Sequence, residues 1–412
     1  MANWKEYRLG EIGSIVTGKT PSAKNPEHWG DVMPFVTPTD FDLYNKNIGS
    51  ALRFLSNSGV SEFKNKVLPP KSVIVTCIGS QMGKVAVNEV ECVTNQQINS
   101  IIPKRNFNSD FIYYVLSSMQ GFLRNLATGG STMPIVNKSS FEDITINVPD
   151  LPTQSAIAEI LSSLDDKIEL NNQINKNLEA LAQALFKQWF VDFEFPNENG
   201  QPYKSSGGEM VESELGEIPK GWIKGVLSDI IDFNPNEKLS KGIESSYIDM
   251  AALPTQGSWP DKPIQRLAGS GMKFKNGDTL FARITPCLEN GKTAFIQCLK
   301  EDEIAWGSTE FIVLRPKQPW PKELAYLIAR DESFRSYAVQ SMIGTSGRQR
   351  AQSSHLEKYS IVYPTDKKLI KLLNELLLGF FGQIKCNSQE SEFLSELRDT
   401  LLPKLISGEL NI

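Results

Sequence analysis

From Pro152 to Phe190 the chain contains no glycine and no second proline, and the next proline is Pro196. Across that stretch Ile157, Ile160, Leu161, Leu164, Ile168, Ile174, Leu178, Leu181, Leu185 and Trp189 recur at threes and fours, the spacing of a single apolar stripe on a helix. At ~1.5 Å per residue such a helix is roughly 55–60 Å long, far beyond the usual length in a globular protein. A rod of that length requires a partner along its stripe. The chain carries one near its own end, where Leu373, Leu377, Phe380, Ile384, Leu394, Leu397, Leu401 and Leu405 keep the same spacing.

The two stripes belong to a longer repeat. Ile168, Asn171, Gln173, Leu178, Leu181 and Leu185 match Ile384, Asn387, Gln389, Leu394, Leu397 and Leu401 at an offset of 216. Before each helix lies a strand ending in proline, Thr145–Pro149 and Ser360–Pro364, at an offset of 215. Before each strand lies a glycine-rich turn, Gly129-Gly130-Ser131-Thr132 in one copy and Gly344-Thr345-Ser346-Gly347 in the other. Earlier still come a helical pattern (Phe111–Leu126, Leu324–Val339) and a β-rich run (Ser72–Ile78, Gly277–Ile284). Any two amphipathic helices can be aligned, but the same elements in the same order point to duplication. The expected organisation is a first domain over 1–150, a long helix over 151–195, a linker of Pro, Gly and Ser over 196–216, a second domain over 217–364, and a second long helix over 365–412.

The fold expected is α+β: two mixed α/β domains in a pseudo-twofold arrangement, separated by two long helices that form an antiparallel coiled coil. Asn171 and Asn387 fall in the stripes near mid-helix. Either they meet near the twofold axis and set the register, as a lone buried polar residue can, or they lie on a solvated edge.

Composition narrows the function. With 40% hydrophobic and 22% charged residues the chain is a folded protein, and its 412 residues exceed one ordinary core. No apolar run approaches a membrane span, and Met1–Glu6 does not begin a secretory signal. Five widely spaced cysteines without a Cys-x-x-Cys suit reduced thiols, so a cytoplasmic location is expected. The net charge of −5 is unevenly spread. Residues 1–150 and 217–364 are near neutral, at +1 and +2, while 151–195 and 196–216 carry −4 and −3. A nucleic-acid reader with this distribution needs a focused basic patch or a partner.

Catalytic signatures are lacking. There is no P-loop and no Asn-Pro-Pro-aromatic tetrapeptide, and only His28 and His355 are available for histidine chemistry. Gly269-Ser270-Gly271 lacks a strand–helix context, Pro260-Asp261 has no Glu-x-Lys beyond it, and Asp165-Asp166 reads as a solvated helix face. The chain is expected to catalyse nothing alone and to hold no metal or cofactor.

Binding chemistry is better represented. Gly344-Thr345-Ser346-Gly347-Arg348-Gln349-Arg350 places two arginines and a glutamine around a turn. Arginine is the usual bidentate reader of guanine, glutamine can read adenine, and turn amides and hydroxyls suit phosphate oxygens. Gly129, Gly130, Ser131 and Thr132 occupy the same place in the first copy. Gln81 and Lys84 lie in a Gly-lined turn, Asn95 and Gln96 beside a strand, and Arg283 and Lys292 bracket a similar segment of the second copy. All are candidate DNA contacts, and each can also be read as turn or surface chemistry.

At this point the chain resembles the specificity subunits of type I restriction–modification enzymes. The resemblance rests in the second copy on Met250–Leu253, Arg283–Lys292, Gly307–Pro316 and Gly344–Arg350, and in the first on Gly18–Pro21, Thr37–Asp40 and Thr94–Ser100. Phe186–Phe193 and Leu402–Leu410 are similar to the family's helix endings. The resemblance implies a non-catalytic subunit in which each domain is a target-recognition domain for one half of a split double-stranded DNA site, and the helices set the spacing. It further implies two methyltransferase subunits that bring S-adenosylmethionine and methylate adenine, and restriction–translocase subunits that use ATP and Mg. A coiled-coil scaffold that docks proteins without binding DNA is the alternative. A self-contained restriction–methylation enzyme is disfavoured by the missing motifs.

Overall fold

A computed structural model describes residues 4–42, 44, 46–79, 81–126, 135–345 and 348–410. The chain divides into two compact units, Met1–Leu170 with Ser391–Ile412, and Asn171–Glu390. The division falls inside both long helices, Leu151–Phe190 (the central helix) and Lys367–Ile406 (the C-terminal helix), each of 40 residues. Each unit therefore owns one half of each helix.

In the first unit a five-stranded sheet runs in the order Gly13–Thr17, Ile98–Pro103, Val73–Thr76, Val85–Asn88, Asn47–Ile48. All its pairings are antiparallel except the last. Val73–Thr76 and Val85–Asn88 are buried throughout, as expected of β-branched runs covered on both faces. A smaller sheet of Trp29–Gly30, Phe54–Leu55, Met33–Val36 and Val93–Thr94 lies alongside in the chain, and Lys5–Arg8 pairs with Thr145–Val148.

The second unit repeats this plan. Ile231–Phe233, Phe311–Pro316, Thr279–Ala282 and Thr293–Phe295 form one sheet. Ile264–Leu267, Glu244–Ile248, Ala305–Gly307 and Lys273–Phe274 form the other, and Trp222–Val226 pairs with Ser360–Pro364. The cross-connections match as well. Val136 N donates to Cys77 O at 2.9 Å in the first unit, and Ala351 N to Arg283 O at 2.8 Å in the second, and the two donors are separated by the same sequence offset as the strand–proline pairs.

Several elements depart from the sequence expectation. The helical pattern Phe111–Leu126 is two helices, Ser109–Ser118 and Gln120–Leu126. Leu324–Val339 is likewise divided into Leu324–Arg330 and Glu332–Gln340, because the Asp331 side chain accepts from Ser333 N and Phe334 N and starts a new helix. The stretch 196–216 is not a bare linker. Met210–Ser213 pairs with Gly216–Pro219, and Phe195 stacks on both Tyr203 and Trp222, with centroids 4.6 and 5.0 Å apart.

Each domain packs directly on its half of the helix pair. Leu9, Val75, Phe111, Leu116 and Phe141 share a core with Ile157, Ala158 and Leu161 of the central helix and Leu405 of the C-terminal helix. In the second unit Phe281, Phe295, Leu314 and Leu327 share one with Ala182, Phe186, Trp189, Leu373, Leu377 and Phe381. Burying each such side chain is worth about 1.5–3 kcal/mol. Within each unit the helix halves run antiparallel. Asp165 meets Arg398 in the first, while in the second Asn175 meets Ser388 and Asn171, one turn earlier, meets Glu390.

The stripe itself is not as drawn from sequence. Ile160 is 37% and Leu181 55% exposed, whereas Ala182 and Phe186 are buried. A repeat of threes and fours drifts around a helix of 3.6 residues per turn, and the domain cores select which residues turn inward. Asp165 is also no solvated residue. It is 7% exposed and accepts from Tyr114 Oη at 2.6 Å and Arg398 Nη1 at 2.7 Å, while Asp166 is exposed.

Of the two readings of the asparagines, burial removes the solvated edge. Asn171 is fully buried and Asn387 nearly so. Asn171 Nδ2 donates to Asn387 O at 3.3 Å and Glu390 Oε2 at 2.9 Å, and Asn387 Nδ2 donates to Asn175 Oδ1 at 2.9 Å. Gln383 Nε2 donates to Asn387 Oδ1 at 2.7 Å, so a short polar layer interrupts the apolar seam.

Candidate nucleic-acid interface

In the second unit the segment ending at Arg350 is a tight excursion from a two-residue bridge. Ile343 and Arg350 exchange backbone hydrogen bonds at 3.1 and 3.0 Å, and Gly344 takes φ +138°, a conformation that favours glycine. The returning strand is tied to Arg283–Thr285. Thr285 N donates to Gln349 O at 3.1 Å and Ala351 N to Arg283 O at 2.8 Å, while Arg283 N donates to Glu310 O at 3.0 Å. Three blocks remote in sequence thus meet at one edge. Ser346 and Gly347 lie outside the described residues.

The side chains there differ in how they are committed. Arg348 and Thr345 are exposed, and Arg348 N donates to Thr345 O at 3.0 Å within the turn. Gln349 is half-buried. Arg350 binds the Glu310 carboxylate through Nε and Nη2 at 2.7–2.9 Å. Arg283 is half-buried. Its Nη2 reaches Gln352 Oε1 at 3.4 Å, and its buried Nε has no acceptor among the described residues. Lys292 is turned inward, donating to the carbonyls of Met250 at 2.8 Å and Ala251 at 3.1 Å, so its ammonium fastens the Met250–Leu253 turn.

Sequence reasoning passed over Arg330, which holds the same region from behind. Its Nε donates to Tyr326 Oη at 3.0 Å, Nη1 to Thr255 O and Gly291 O at 2.8 and 2.7 Å, and Nη2 to Thr293 O at 3.0 Å and to Gly257 O. All five N–H groups are used, three of them on loop carbonyls and one on the carbonyl that opens the strand Thr293–Phe295. The available signal was an arginine closing an otherwise apolar helix, Leu324–Arg330. Tyr326 in turn donates to Glu179 of the central helix. Burial pushes the Glu179 carboxyl up, against the opposing pull of Tyr326 and Arg330.

In the first unit the blocks Gly18–Pro21 and Thr94–Ser100 meet, and Asn95 N donates at 3.0 Å to the carbonyl of Val36, which precedes Thr37–Asp40. Gly18 N and Lys19 N donate to Ile98 O and Thr94 O at 3.2 and 3.0 Å, and Thr17 Oγ1 to Asn99 Oδ1 at 2.7 Å. The Thr20 hydroxyl binds the exposed Gln96 side chain. Asn95 is buried and folds onto its own segment, donating from Nδ2 to Gln97 Oε1 and accepting from Gln97 N, both at 3.0 Å. Asp40 closes its turn by accepting from Thr37 N and Oγ1 and from Leu52 N, each at 2.7 Å.

Gln81 is bound through its carbonyl, which accepts from Thr76 Oγ1 at 2.6 Å, and the Lys84 ammonium is paired with Asp42. Gly129, Gly130, Ser131 and Thr132 lie outside the described residues. Lys84 and Lys292 occupy corresponding places, since Thr76 N donates to Lys84 O and Ala282 N to Lys292 O. Gln97 and Glu310 correspond in the same way, as carbonyl acceptors for Cys77 N and Arg283 N.

Asp42 and Glu310 each neutralise one basic group at these edges, Lys84 and Arg350. Among the described residues no group of three or more His, Cys, Asp or Glu side chains could hold a metal ion, and no helix is long and apolar enough to cross a membrane.

Comparison with known proteins gives a consistent answer. Residues 1–180 match the family described as type I restriction modification DNA specificity domain. The specificity subunit of the type I restriction enzyme MjaIX of Methanocaldococcus jannaschii is 27% identical, with 100% of this chain aligned to 94% of the relative. That of HindI from Haemophilus influenzae is 23% identical over the whole of both chains. The crystal structure of a type I restriction–modification S subunit from M. genitalium shares the fold, with a TM-score of 0.59 at 15% identity over 98% of this chain and 96% of that one.

Proposed function

We propose that the chain, similar in residues 1–180 to the type I specificity domain and over its whole length to specificity subunits of type I restriction enzymes, is such a subunit, and that its two units each bind one half of a bipartite double-stranded DNA target. The observation that carries the proposal is the repeated edge. In each unit a residue that follows the glycine-rich segment in sequence donates to the residue just past the corresponding strand, Val136 N to Cys77 O in one and Ala351 N to Arg283 O in the other. A duplicated presentation of this kind suits a target with two halves.

On this reading the long helices act as spacer, and outward-facing apolar residues such as Leu181, Leu378 and Phe393 support protein partners on their flanks. Two methyltransferase subunits, with S-adenosylmethionine, methylate adenine in the bound target. Restriction–translocase subunits, with ATP and Mg, act on unmodified DNA. The chain itself reads and positions. A scaffold that binds no DNA would use the helices equally well but leaves the two converging polar edges without a purpose.

The test is to express the chain with its methyltransferase partner in a host free of adenine methylation and to map methylated adenines. A single bipartite motif is expected, absent when this chain is omitted. Methylation that is independent of the chain, or scattered without a motif, refutes the proposal.

A further inference from the structure

The Arg350 guanidinium is divided between an internal partner and an open edge. Nε donates to both Glu310 oxygens at 2.9 Å, Nη2 to Oε1 at 2.7 Å, and Nη1 to Arg348 O at 3.0 Å. A guanidinium has five N–H groups. Those contacts engage one each on Nε, Nη1 and Nη2, which leaves one on each terminal nitrogen without an acceptor among the described residues. The side chain is 39% exposed.

The group is also held from several sides. Glu310 is fixed through its backbone, with N donating to Ser308 Oγ at 3.1 Å and O accepting from Arg283 N at 3.0 Å. The Arg350 backbone is bridged to Ile343 in both directions. An arginine located by its own backbone, a carboxylate and a carbonyl has little rotamer freedom left to lose on binding.

Charge then decides the ligand. The Arg350–Glu310 pair is neutral overall, and a phosphate approaching the free edge would also meet the Glu310 carboxylate. The neutral acceptors of a base edge face no such repulsion. Guanine O6 and N7 are the pair of acceptors in the major groove that an arginine fork matches. We propose that Arg350, positioned by Glu310, reads a guanine in the half-site bound by the second unit. The inference rests on the DNA-recognition reading above and adds to it a base, a reader and a positioning residue.

Methylome mapping of the full chain assembled with its methyltransferase partner tests it, with the melting temperature and co-purification of each variant checked in parallel. Arg350→Ala makes one G·C position of one half-site degenerate, with discrimination there falling roughly 5- to 150-fold and the other half-site unchanged. Arg350→Lys keeps the charge but not the fork and relaxes the same position. Glu310→Gln, which keeps a weaker acceptor, relaxes it partially. Should Arg350→Ala fail to fold, Arg350→Lys and Glu310→Gln carry the test.

The proposal is overturned if the Arg350 variants lower methylation equally at every copy of an unchanged motif, as loss of a phosphate or structural contact would. It is also overturned if lysine restores full discrimination. A wild-type complex that shows no motif at all refutes the DNA-recognition reading, a result distinct from either of these.

Discussion

Tyr114 donates its buried hydroxyl to Asp165 of the central helix at 2.6 Å, and the same carboxylate accepts from Arg398 Nη1 of the C-terminal helix at 2.7 Å. One acid thereby ties the first domain to both helix halves of its unit. Burial, followed by the Asp165 charge, pushes the Tyr114 hydroxyl well above the ordinary tyrosine range, so the phenol stays a donor throughout the accessible pH range.

Replacing Asp165 with asparagine keeps the shape but removes the buried one of the two carboxylates that pair with Arg398, the exposed Asp399 remaining on Nε and Nη2. The expected cost is about 1–3 kcal/mol, because a partly buried cation and the Tyr114 hydroxyl lose their charged acceptor. Urea unfolding of the variant and of Tyr114→Phe would measure it. Equal stability of Asp165→Asn and wild type would show that the network contributes nothing.

The polar layer of the second unit makes a separate claim. Asn171→Ala removes two hydrogen bonds from the buried seam, those from Asn171 Nδ2 to the Asn387 carbonyl and to Glu390 Oε2. A loss of roughly 1–3 kcal/mol is expected for two such bonds. Calorimetry or denaturant titration is the appropriate measurement, and an unchanged midpoint would contradict it.

Glu179 provides a pH signature. Because burial raises its carboxyl in the folded state, its contribution is fully present below the unfolded value of about 4.3 and is lost as pH rises through the raised folded value. Glu179→Gln cannot titrate and keeps an acceptor for Tyr326. The difference in unfolding free energy, variant minus wild type, should therefore grow as pH is raised from about 4 to neutrality. A difference that does not change with pH argues against the raised carboxyl.

Gly18 lies so close to the Thr94 and Asn95 carbonyls that a Cβ would overlap both, and neither acceptor is a flexible side-chain end. Gly18→Ala should move the 18–20 segment off the Thr94–Gln96 segment at a cost of about 1–3 kcal/mol. In the assembled methyltransferase, positions in one half-site should lose discrimination while the other half keeps its sequence. Retention of wild-type stability and motif would remove this segment from the recognition edge.

Much of the architecture was legible in the residues, because it depends on periodicity and order along the chain. The apolar stripes, the strand–proline pairs and the offset of 215–216 sufficed for two domains, two long helices and duplication. The candidate edge was legible only as a set of blocks. Gly344–Arg350 and Arg283–Lys292 could be named, yet nothing in their composition said that Ala351 would bond to Arg283, or that Lys292 would turn inward to Met250 and Ala251.

The sequence by itself determined where helices, strands and turns recur, since those follow from local spacing and the conformational limits of Gly and Pro. Tertiary structure decided what each polar residue faces. Asp165 reads as a surface acid until Tyr114 and Arg398 close over it, and Arg350 reads as a free cation until Glu310 takes one edge of it. Those partners lie tens to hundreds of positions away. A hydrogen bond depends on a few ångströms in space, and only the packed chain brings such residues within that range.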